Sequence, residues 1–213
     1  CASEKFLMRN NNKTFAAQRE YNHRALDMFE AHGIPVHHGS IMAAFGCNCE
    51  GDIPVSRVVE KVDEIFEIAA ERGVHIETLS LADTMAWATP ASVTRVVGAI
   101  REKYPQLRLS LHLHDTRGLA IANAYAGLQM GVDMYDAAVA GLGGCPFAGH
   151  KAAAGNVCTE DLAFMCEEMG ISTGIDLEKL IDCARLAEDV VGHPLPGSVM
   201  KGGSLARLRA ALH

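Results

Sequence analysis

The spacing of apolar residues along the chain changes repeatedly between a helical and a strand-like period. Helical spacing predicts helices over residues 13–32, about 54–72, 90–104, 118–130, 158–169 and 176–191. Strand-like runs between the first of these predict strands over 35–45, 74–82, 107–114 and 133–140. The chain opens with Cys1-Ala2-Ser3-Glu4, which we interpret as the end of a strand and the loop after it. The pattern is therefore that of an α/β protein in which strands and helices alternate.

Strict alternation of strands and helices predicts parallel strands that are covered by the intervening helices. Two architectures satisfy this pattern, a doubly wound open sheet and a (β/α)8 barrel, and periodicity does not choose between them. No Gly-x-Gly-x-x-Gly motif follows a predicted strand, which removes the simplest dinucleotide-binding interpretation. We find no internal linker, so residues 1–213 are interpreted as one domain or part of one.

Composition and charge narrow the possible functions. The net charge is −7 and the Lys and Arg residues are scattered, so we expect no nucleic-acid partner. No apolar run reaches the roughly 18 residues of a membrane-spanning helix, so we expect no membrane partner. The seven cysteines follow no disulfide-framework spacing, which favours reduced thiols in a cytoplasmic or organellar protein.

The strand predicted over 107–114 ends in His112-Leu113-His114-Asp115-Thr116. Residues i and i+2 of a strand point to the same face, so His112 and His114 can direct two imidazoles toward one divalent metal. The alternative is that both are ordinary hydrogen-bonded residues at the end of a strand. A single His-x-His motif does not exclude that alternative.

A glycine-rich segment, Gly141-Leu142-Gly143-Gly144-Cys145, follows the last predicted strand. Glycine allows positive φ and a close approach of a ligand, and a cysteine in such a loop can donate a proton. The alternative is a buried structural thiol. We assign that structural interpretation to Cys158, Cys166 and Cys183, which fall in predicted helices.

Two further polar residues have a functional and a structural interpretation. Asn156 could offer an amide oxygen to Mg²⁺ or Mn²⁺, but it could also cap the helix after it. Asp83 follows the strand over 74–82, where a carboxylate could act as a base or orient a metal-bound histidine. It could equally be the N-cap of the next helix.

The order of four motifs along the chain is more specific than any one of them. Ser80-Leu-x-Asp-Thr, His112-x-His-Asp-Thr, Gly141-Leu-Gly-Gly-Cys-Pro-x-Ala and Gly155-Asn-x-x-Thr-Glu-Asp-Leu are separated by helix-length gaps. This arrangement resembles the 3-hydroxy-3-methylglutaryl-CoA lyases, a group of metal-dependent barrel enzymes, along nearly the whole chain. The resemblance implies a (β/α)8 TIM barrel of which the chain covers roughly the second half and the C-terminal helices. An N-terminal segment that supplies the first strands is expected to precede it.

The resemblance also implies the site. By analogy His112, His114 and Asn156 match metal ligands for Mg²⁺ or Mn²⁺, Cys145 matches the catalytic cysteine, and Asp83 matches an active-site carboxylate. An Arg-Asp pair that the family carries on its first strand has no counterpart here. The chain departs from the family pattern at positions 48–49, 86–88 and Arg117, and in the length of the loop between Cys145 and Asn156.

The implied reaction is cleavage of 3-hydroxy-3-methylglutaryl-CoA to acetyl-CoA and acetoacetate, in which Cys145 protonates the departing enolate. Two alternatives remain open: a related lyase for another 3-hydroxyacyl-CoA, such as citramalyl-CoA or a branched analogue, and a catalytically silent fragment. The expected partner is an acyl-CoA thioester, and a homodimer is a further expectation. The expected location is the cytoplasm, or the mitochondrial matrix in a eukaryote.

Overall fold

A parallel four-stranded sheet forms the centre of the molecule, as the computed structural model shows for residues 1–144 and 154–212. Its strands are β1 (His38–Ile41), β2 (Thr78–Ala82), β3 (Arg108–His112) and β4 (Met134–Asp136). They pair in sequence order, with Ser40 opposite Ser80 and Ser80 opposite Ser110. The four predicted strands are confirmed, but each is shorter than predicted because the residues beyond its ends belong to loops.

Nine α-helices and one 3₁₀ turn (Val139–Gly141) accompany the sheet in the described part of the chain. The helices are α1 (Glu4–Asn11), α2 (Phe15–Ala31), α3 (Val55–Glu71), α4 (Pro90–Lys103), α5 (Ala120–Gln129), α6 (Thr159–Glu168), α7 (Leu177–Val191), α8 (Val199–Gly202) and α9 (Leu205–Ala211). The six predicted helices are confirmed as α2 to α7. Within these described segments, no helix has both the length and the apolar character that crossing a bilayer requires.

The interpretation of residues 1–4 as a strand end and its loop is wrong at Glu4, where α1 begins. Ser3 is the N-cap of this helix, because its Oγ accepts a hydrogen bond of 3.1 Å from the Phe6 amide. Strand-like pairing is limited to the Ala2 amide, which donates to the Met42 carbonyl at 2.8 Å. The short helices α8 and α9 were not predicted either.

Helices α3, α4 and α5 lie side by side on one face of the sheet. α4 contacts both α3 and α5, and the apolar face of each helix packs on the strands through residues such as Val58, Val93 and Ala124. Strands in sequence order with all the intervening helices on one side form an arc of a barrel, because a doubly wound sheet places helices on both faces. The structure therefore decides between the two architectures that the sequence left open.

After β4, helices α6, α7 and α8 pack together around two smaller apolar clusters. Cys158, which directly precedes α6, and Cys166 within it are both buried, as expected for structural thiols. The same expectation is wrong for Cys183, whose side chain is exposed on α7. The helical pattern placed Cys183 on a helix, but its position on the outer face depends on how α7 packs.

Candidate metal centre

The carboxyl end of β3 brings two imidazole rings together. His112 is the last residue of the strand and His114 lies two residues further on. Their ring centroids are 5.0 Å apart and the ring planes meet at 72°. The rings thus lie on the same side of the chain, as the i, i+2 spacing predicts.

Hydrogen bonds fix which nitrogen of each ring carries the proton. Nδ1 of His114 lies 2.7 Å from the carbonyl oxygen of Asp83, and Nδ1 of His112 lies 3.3 Å from Oδ2 of Asp136. A carbonyl or carboxylate oxygen only accepts, so both Nδ1 atoms are donors, and in the neutral form of each ring Nε2 keeps a lone pair. Metal-binding histidines use this arrangement. Burial lowers the pKa of His114, which favours the neutral form of its ring.

Asp136, which orients His112, was not identified from the sequence. It is the last residue of β4, and the parallel register of β3 and β4 places it opposite His112. The available signal was an acidic residue near the end of the neighbouring strand. Using that signal requires the register, which depends on tertiary pairing.

Asn156 is held beside His114 by the backbone. The two residues form an antiparallel bridge, in which the Val157 amide donates to the Leu113 carbonyl at 2.9 Å and the Asp115 amide donates to the Gly155 carbonyl at 2.7 Å. Residues paired between two such bonds have Cα atoms about 4.5 Å apart and side chains on the same side. Asn156 does not cap α6, whose N-cap is Cys158.

The amide group of Asn156 has one satisfied end and one unsatisfied end. Its Nδ2 donates to the Leu142 carbonyl at 2.9 Å, which directs Oδ1 to the other side. Oδ1 is buried and has no hydrogen-bond partner among residues 1–144 and 154–212. A buried acceptor without a partner costs about 1–3 kcal/mol, so a cation that used this oxygen would remove the cost. Two imidazoles and an amide oxygen suit a divalent metal.

Glycines allow the return segment around Asn156 to approach the loop after β4. A Cβ at Gly155 would lie 1.9 Å from the Gly143 carbonyl oxygen, and a Cβ at Gly143 would lie 2.6 Å from Nδ2 of Asn156. Gly143 also has a φ of +83°, which side-chain-bearing residues rarely adopt. Cys145, the predicted catalytic cysteine, lies outside the described residues. Gly144 is the last described residue before it and packs on Gly155.

Asp83 is fully buried at the end of β2. Its Oδ1 accepts from the amides of Trp87 at 2.7 Å and Ala88 at 2.9 Å, while Oδ2 has no partner in the described part of the chain. Burial raises the pKa of this carboxyl to about 6, although the two amides and Arg117 act in the opposite direction. Asp83 is not the N-cap of α4, because Thr89 occupies that position.

A second group of potential ligands, Cys158, Glu160 and Asp161, lies at the start of α6 with ligand atoms within 4.8 Å of one another. Its carboxylates already serve the fold: Glu160 accepts from the Ala140 amide, and Asp161 accepts from the amides of Ser198 and Val199. Burial raises the pKa of the Cys158 thiol, which disfavours the thiolate that a metal requires. This group therefore stabilises the packing of the C-terminal helices.

Comparison with known proteins identifies a family and relatives with the same fold. The HMGL-like family model matches residues 3–187. The hydroxymethylglutaryl-CoA lyase YngG of Bacillus subtilis is 41% identical over 73% of this chain and 50% of its own length. The mitochondrial hydroxymethylglutaryl-CoA lyase of Gallus gallus is 39% identical over 85% of this chain and 58% of its own length.

A solved structure with the same fold is that of an HMG-CoA lyase from Acinetobacter baumannii in complex with coenzyme A and 3-methylmalate. It is 36% identical, has a TM-score of 0.84, and is matched over 95% of this chain and 63% of that chain. The chain thus spans between half and two thirds of the length of these relatives. The family model covers most of the chain, and the chain belongs to the HMGL-like family.

Proposed function

We propose that this protein cleaves 3-hydroxy-3-methylglutaryl-CoA to acetyl-CoA and acetoacetate with the help of Mg²⁺ or Mn²⁺. The observation that carries the proposal is a set of three potential ligand atoms at the carboxyl end of β3 that have no hydrogen-bond partner among the described residues. These are Nε2 of His112, Nε2 of His114 and the buried Oδ1 of Asn156. The names of the relatives support the substrate. Residues 1–213 are proposed to form the C-terminal portion of one TIM-barrel lyase domain.

In the proposed chemistry, one set of residues holds the cation and a second set orients the ligands. A bound divalent cation would supply Lewis-acid polarisation of the hydroxyl and carbonyl oxygens of the substrate. His112, His114 and Asn156 would hold it, with Asp136 and the Asp83 carbonyl fixing the two rings.

Two groups then move protons. A base takes the proton of the tertiary hydroxyl, the carbon–carbon bond breaks, and its electron pair stays with the acetyl-CoA fragment as an enolate. Cys145 is the proposed donor of the proton that this enolate carbon takes up. Asp83 is the proposed active-site carboxylate, and Oδ2 is its oxygen that the loop amides leave unused.

Variants of two cysteines test the proton-donor role. Cys145→Ala should retain the fold and Mn²⁺ affinity but lower the release of acetoacetate by about 100-fold or more, the usual contribution of a positioned proton donor. Cys183→Ala is the matched control, because this thiol is exposed on α7. If Cys145→Ala turns over at a near-normal rate, the cysteine is structural; if it also loses Mn²⁺, it belongs to the metal site.

A related lyase for another 3-hydroxyacyl-CoA is the second candidate. Two large side chains at the site favour it, since Trp87 and Arg117 occupy positions where the chain departs from the family pattern. Comparing turnover of 3-hydroxy-3-methylglutaryl-CoA and citramalyl-CoA separates the two candidates. Absence of cleavage of either thioester in the presence of Mn²⁺ would leave a catalytically silent protein and contradict both.

A further inference from the structure

Arg117 occupies a fixed position just beyond the two histidines. It lies in a turn that closes with a bond of 2.8 Å from the Gly118 amide to the Asp115 carbonyl. Oδ1 of Asp115 accepts from the Ala120 amide at 2.8 Å, which ties the turn to the start of α5. The backbone of Arg117 is therefore held three residues beyond His114, at the end of the sheet where ligands bind in parallel barrels.

The guanidinium and the His114 ring are anchored on the same short turn after β2. Nη1 of Arg117 donates to the Ala86 carbonyl at 2.9 Å, and Nδ1 of His114 donates to the Asp83 carbonyl at 2.7 Å. Asp83 and Ala86 are the ends of one turn, because the Ala86 amide donates to the Asp83 carbonyl. The Cα atoms at the ends of such a turn are separated by less than about 7 Å. The positive charge thus lies close to the candidate metal centre.

Arg117 has capacity left for a ligand. Its side chain is exposed and its bond to the Ala86 carbonyl uses one N–H. Its charge lowers the pKa of Asp83, but no carboxylate forms an ion pair with it in residues 1–144 and 154–212. Arg108, at the opposite end of β3, differs from Arg117 because its guanidinium makes two hydrogen bonds of 3.1 Å to the Asp133 carboxylate. A guanidinium with free donors suits a carboxylate or a phosphate.

Trp87 fixes the segment that carries the Ala86 anchor. It follows Ala86 directly, its indole N–H donates to Oδ1 of Asn48 at 2.8 Å, and it packs on Gly46, where a Cβ would lie 2.9 Å from it. The indole is therefore held between the loops after β1 and β2.

We propose that Arg117 binds the free carboxylate of the acyl group and selects dicarboxylic acyl-CoA substrates. This inference rests on the proposed function, which places an acyl-CoA thioester at the metal centre. The free carboxylate of such a substrate lies a few bonds from the carbon that reacts, whereas the phosphates lie beyond the pantetheine arm. A guanidinium anchored beside His114 is near enough to bind this carboxylate. The acyl group, and not the CoA phosphates, is therefore the proposed partner of Arg117.

Ligands that differ by one carboxylate test this role. Binding would be measured by calorimetry in the Cys145→Ala background with Mn²⁺, using 3-hydroxy-3-methylglutaryl-CoA, 3-hydroxy-3-methylbutyryl-CoA, which lacks the carboxylate, and CoA. Arg117→Gln should weaken binding of the first by about tenfold or more, the usual loss for a charge-assisted bond, and leave the other two within about twofold. Arg117→Lys should weaken binding of 3-hydroxy-3-methylglutaryl-CoA by an intermediate amount, because lysine retains the positive charge but lacks the planar guanidinium group.

Arg108→Gln is the matched control, since it removes the same charge at the amino end of the same strand and should change none of the three affinities. A thermal melt of each variant checks the fold. Equal losses for all three ligands would assign Arg117 to the CoA phosphates, and unchanged affinities would leave it only as a tether of the Ala86 loop; either result overturns the proposal. If the parent protein binds none of the ligands, the proposed function itself fails.

Discussion

The two sides of the candidate metal centre are built by different physical means. On one side, β3 is an inner strand that pairs with both β2 and β4, and its buried leucines lock it into the core. On the other side, the return segment around Asn156 depends on isolated bridges, from His114 to Asn156 and from Ala138 to Cys158, and on close packing between Gly143 and Gly155. The strand side is thus determined by a continuous ladder of hydrogen bonds, and the return side by isolated bridges together with a close approach that only glycine allows. The two sides should therefore respond differently to substitution.

The largest effect is expected on the strand side. His114→Ala removes a ligand atom and the bond to the Asp83 carbonyl, so Mn²⁺ affinity measured by calorimetry should fall by about 100-fold or more. His38→Ala is the control, because this histidine lies at the amino end of β1 and bonds to Thr78. An affinity for Mn²⁺ that stays within about threefold of the parent value would remove His114 from the site.

A smaller effect is expected on the return side. In Gly155→Ala the new Cβ would meet the Gly143 carbonyl oxygen, and the backbone must separate. We expect the free energy of unfolding to fall by about 1–3 kcal/mol, as for other overpacked sites, and Mn²⁺ affinity to fall with it as Asn156 moves.

Gly98→Ala is the matched control for that substitution. Gly98 lies within α4, where the nearest atom to an added Cβ is Cε of Met130 at 3.6 Å. Alanine should therefore raise the free energy of unfolding by about 0.5–1 kcal/mol and leave Mn²⁺ binding unchanged. If urea unfolding shows the two glycine variants to be alike, close packing does not hold the return segment.

A third substitution acts on the strand side through His112. Asp136→Asn weakens the acceptor that orients the ring, and the Asp136 side chain is 62% exposed. Partners of metal-bound histidines contribute about 10–100-fold, so an exposed one should lower Mn²⁺ affinity by about tenfold. Asp133→Asn is the control, because Asp133 is similarly exposed before the start of β4 and pairs with Arg108. Equal affinities for the Asp136 and Asp133 variants would contradict the orienting role.

The smallest effect is expected for a hydrogen bond between Tyr104, which ends α4, and Asp63 of α3. The Tyr104 hydroxyl donates to Oδ1 of Asp63 at 2.6 Å, and burial together with that carboxylate raises the pKa of Tyr104 from 10.0 to about 12. A pKa that is raised in the folded state contributes stability below pH 10, and this contribution is lost as the pH rises through about 12.

Titration of tyrosine absorbance in the parent protein and in Tyr104→Phe measures this shift. The variant should lack a group that titrates near pH 12, and its stability difference from the parent should shrink above pH 10. Mn²⁺ affinity should not change, because Tyr104 backs the sheet away from the site. Loss of a group that titrates near pH 10 instead would show that the Asp63 bond does not form in solution.

The strand side was largely predictable, and the return side was not. Apolar and polar residues alternate from Leu107 to His114. This pattern predicts both the strand and the shared direction of the two imidazoles, because both follow from a period of two. Asn156 lies 42 positions beyond His114, and local sequence alone left it as either a cap or a ligand. Its pairing with His114 is a tertiary contact, as is the register that brings Asp136 to His112. The role of Cys145 stays a prediction.

The helices and strands with a long hydrophobic period were predictable from the sequence. The short helices were not. Helix α1 rests on the Ser3 cap and eight residues, too few for its period to outweigh the strand-like start of the chain. The choice between a barrel arc and a doubly wound sheet needed the contacts among α3, α4 and α5, which no local pattern encodes.

The backbone bridge between His114 and Asn156 bears on the thermodynamics of ion capture. Two of the three proposed ligands are aligned by folding itself, so an incoming cation immobilises only side-chain rotamers and releases its own water. Binding should then be accompanied by a small change in heat capacity and little change in amide exchange around residues 113–115 and 155–157, in contrast to zinc modules that fold on their metal. The centre would be a preorganised receptor whose shape is set before the ion arrives.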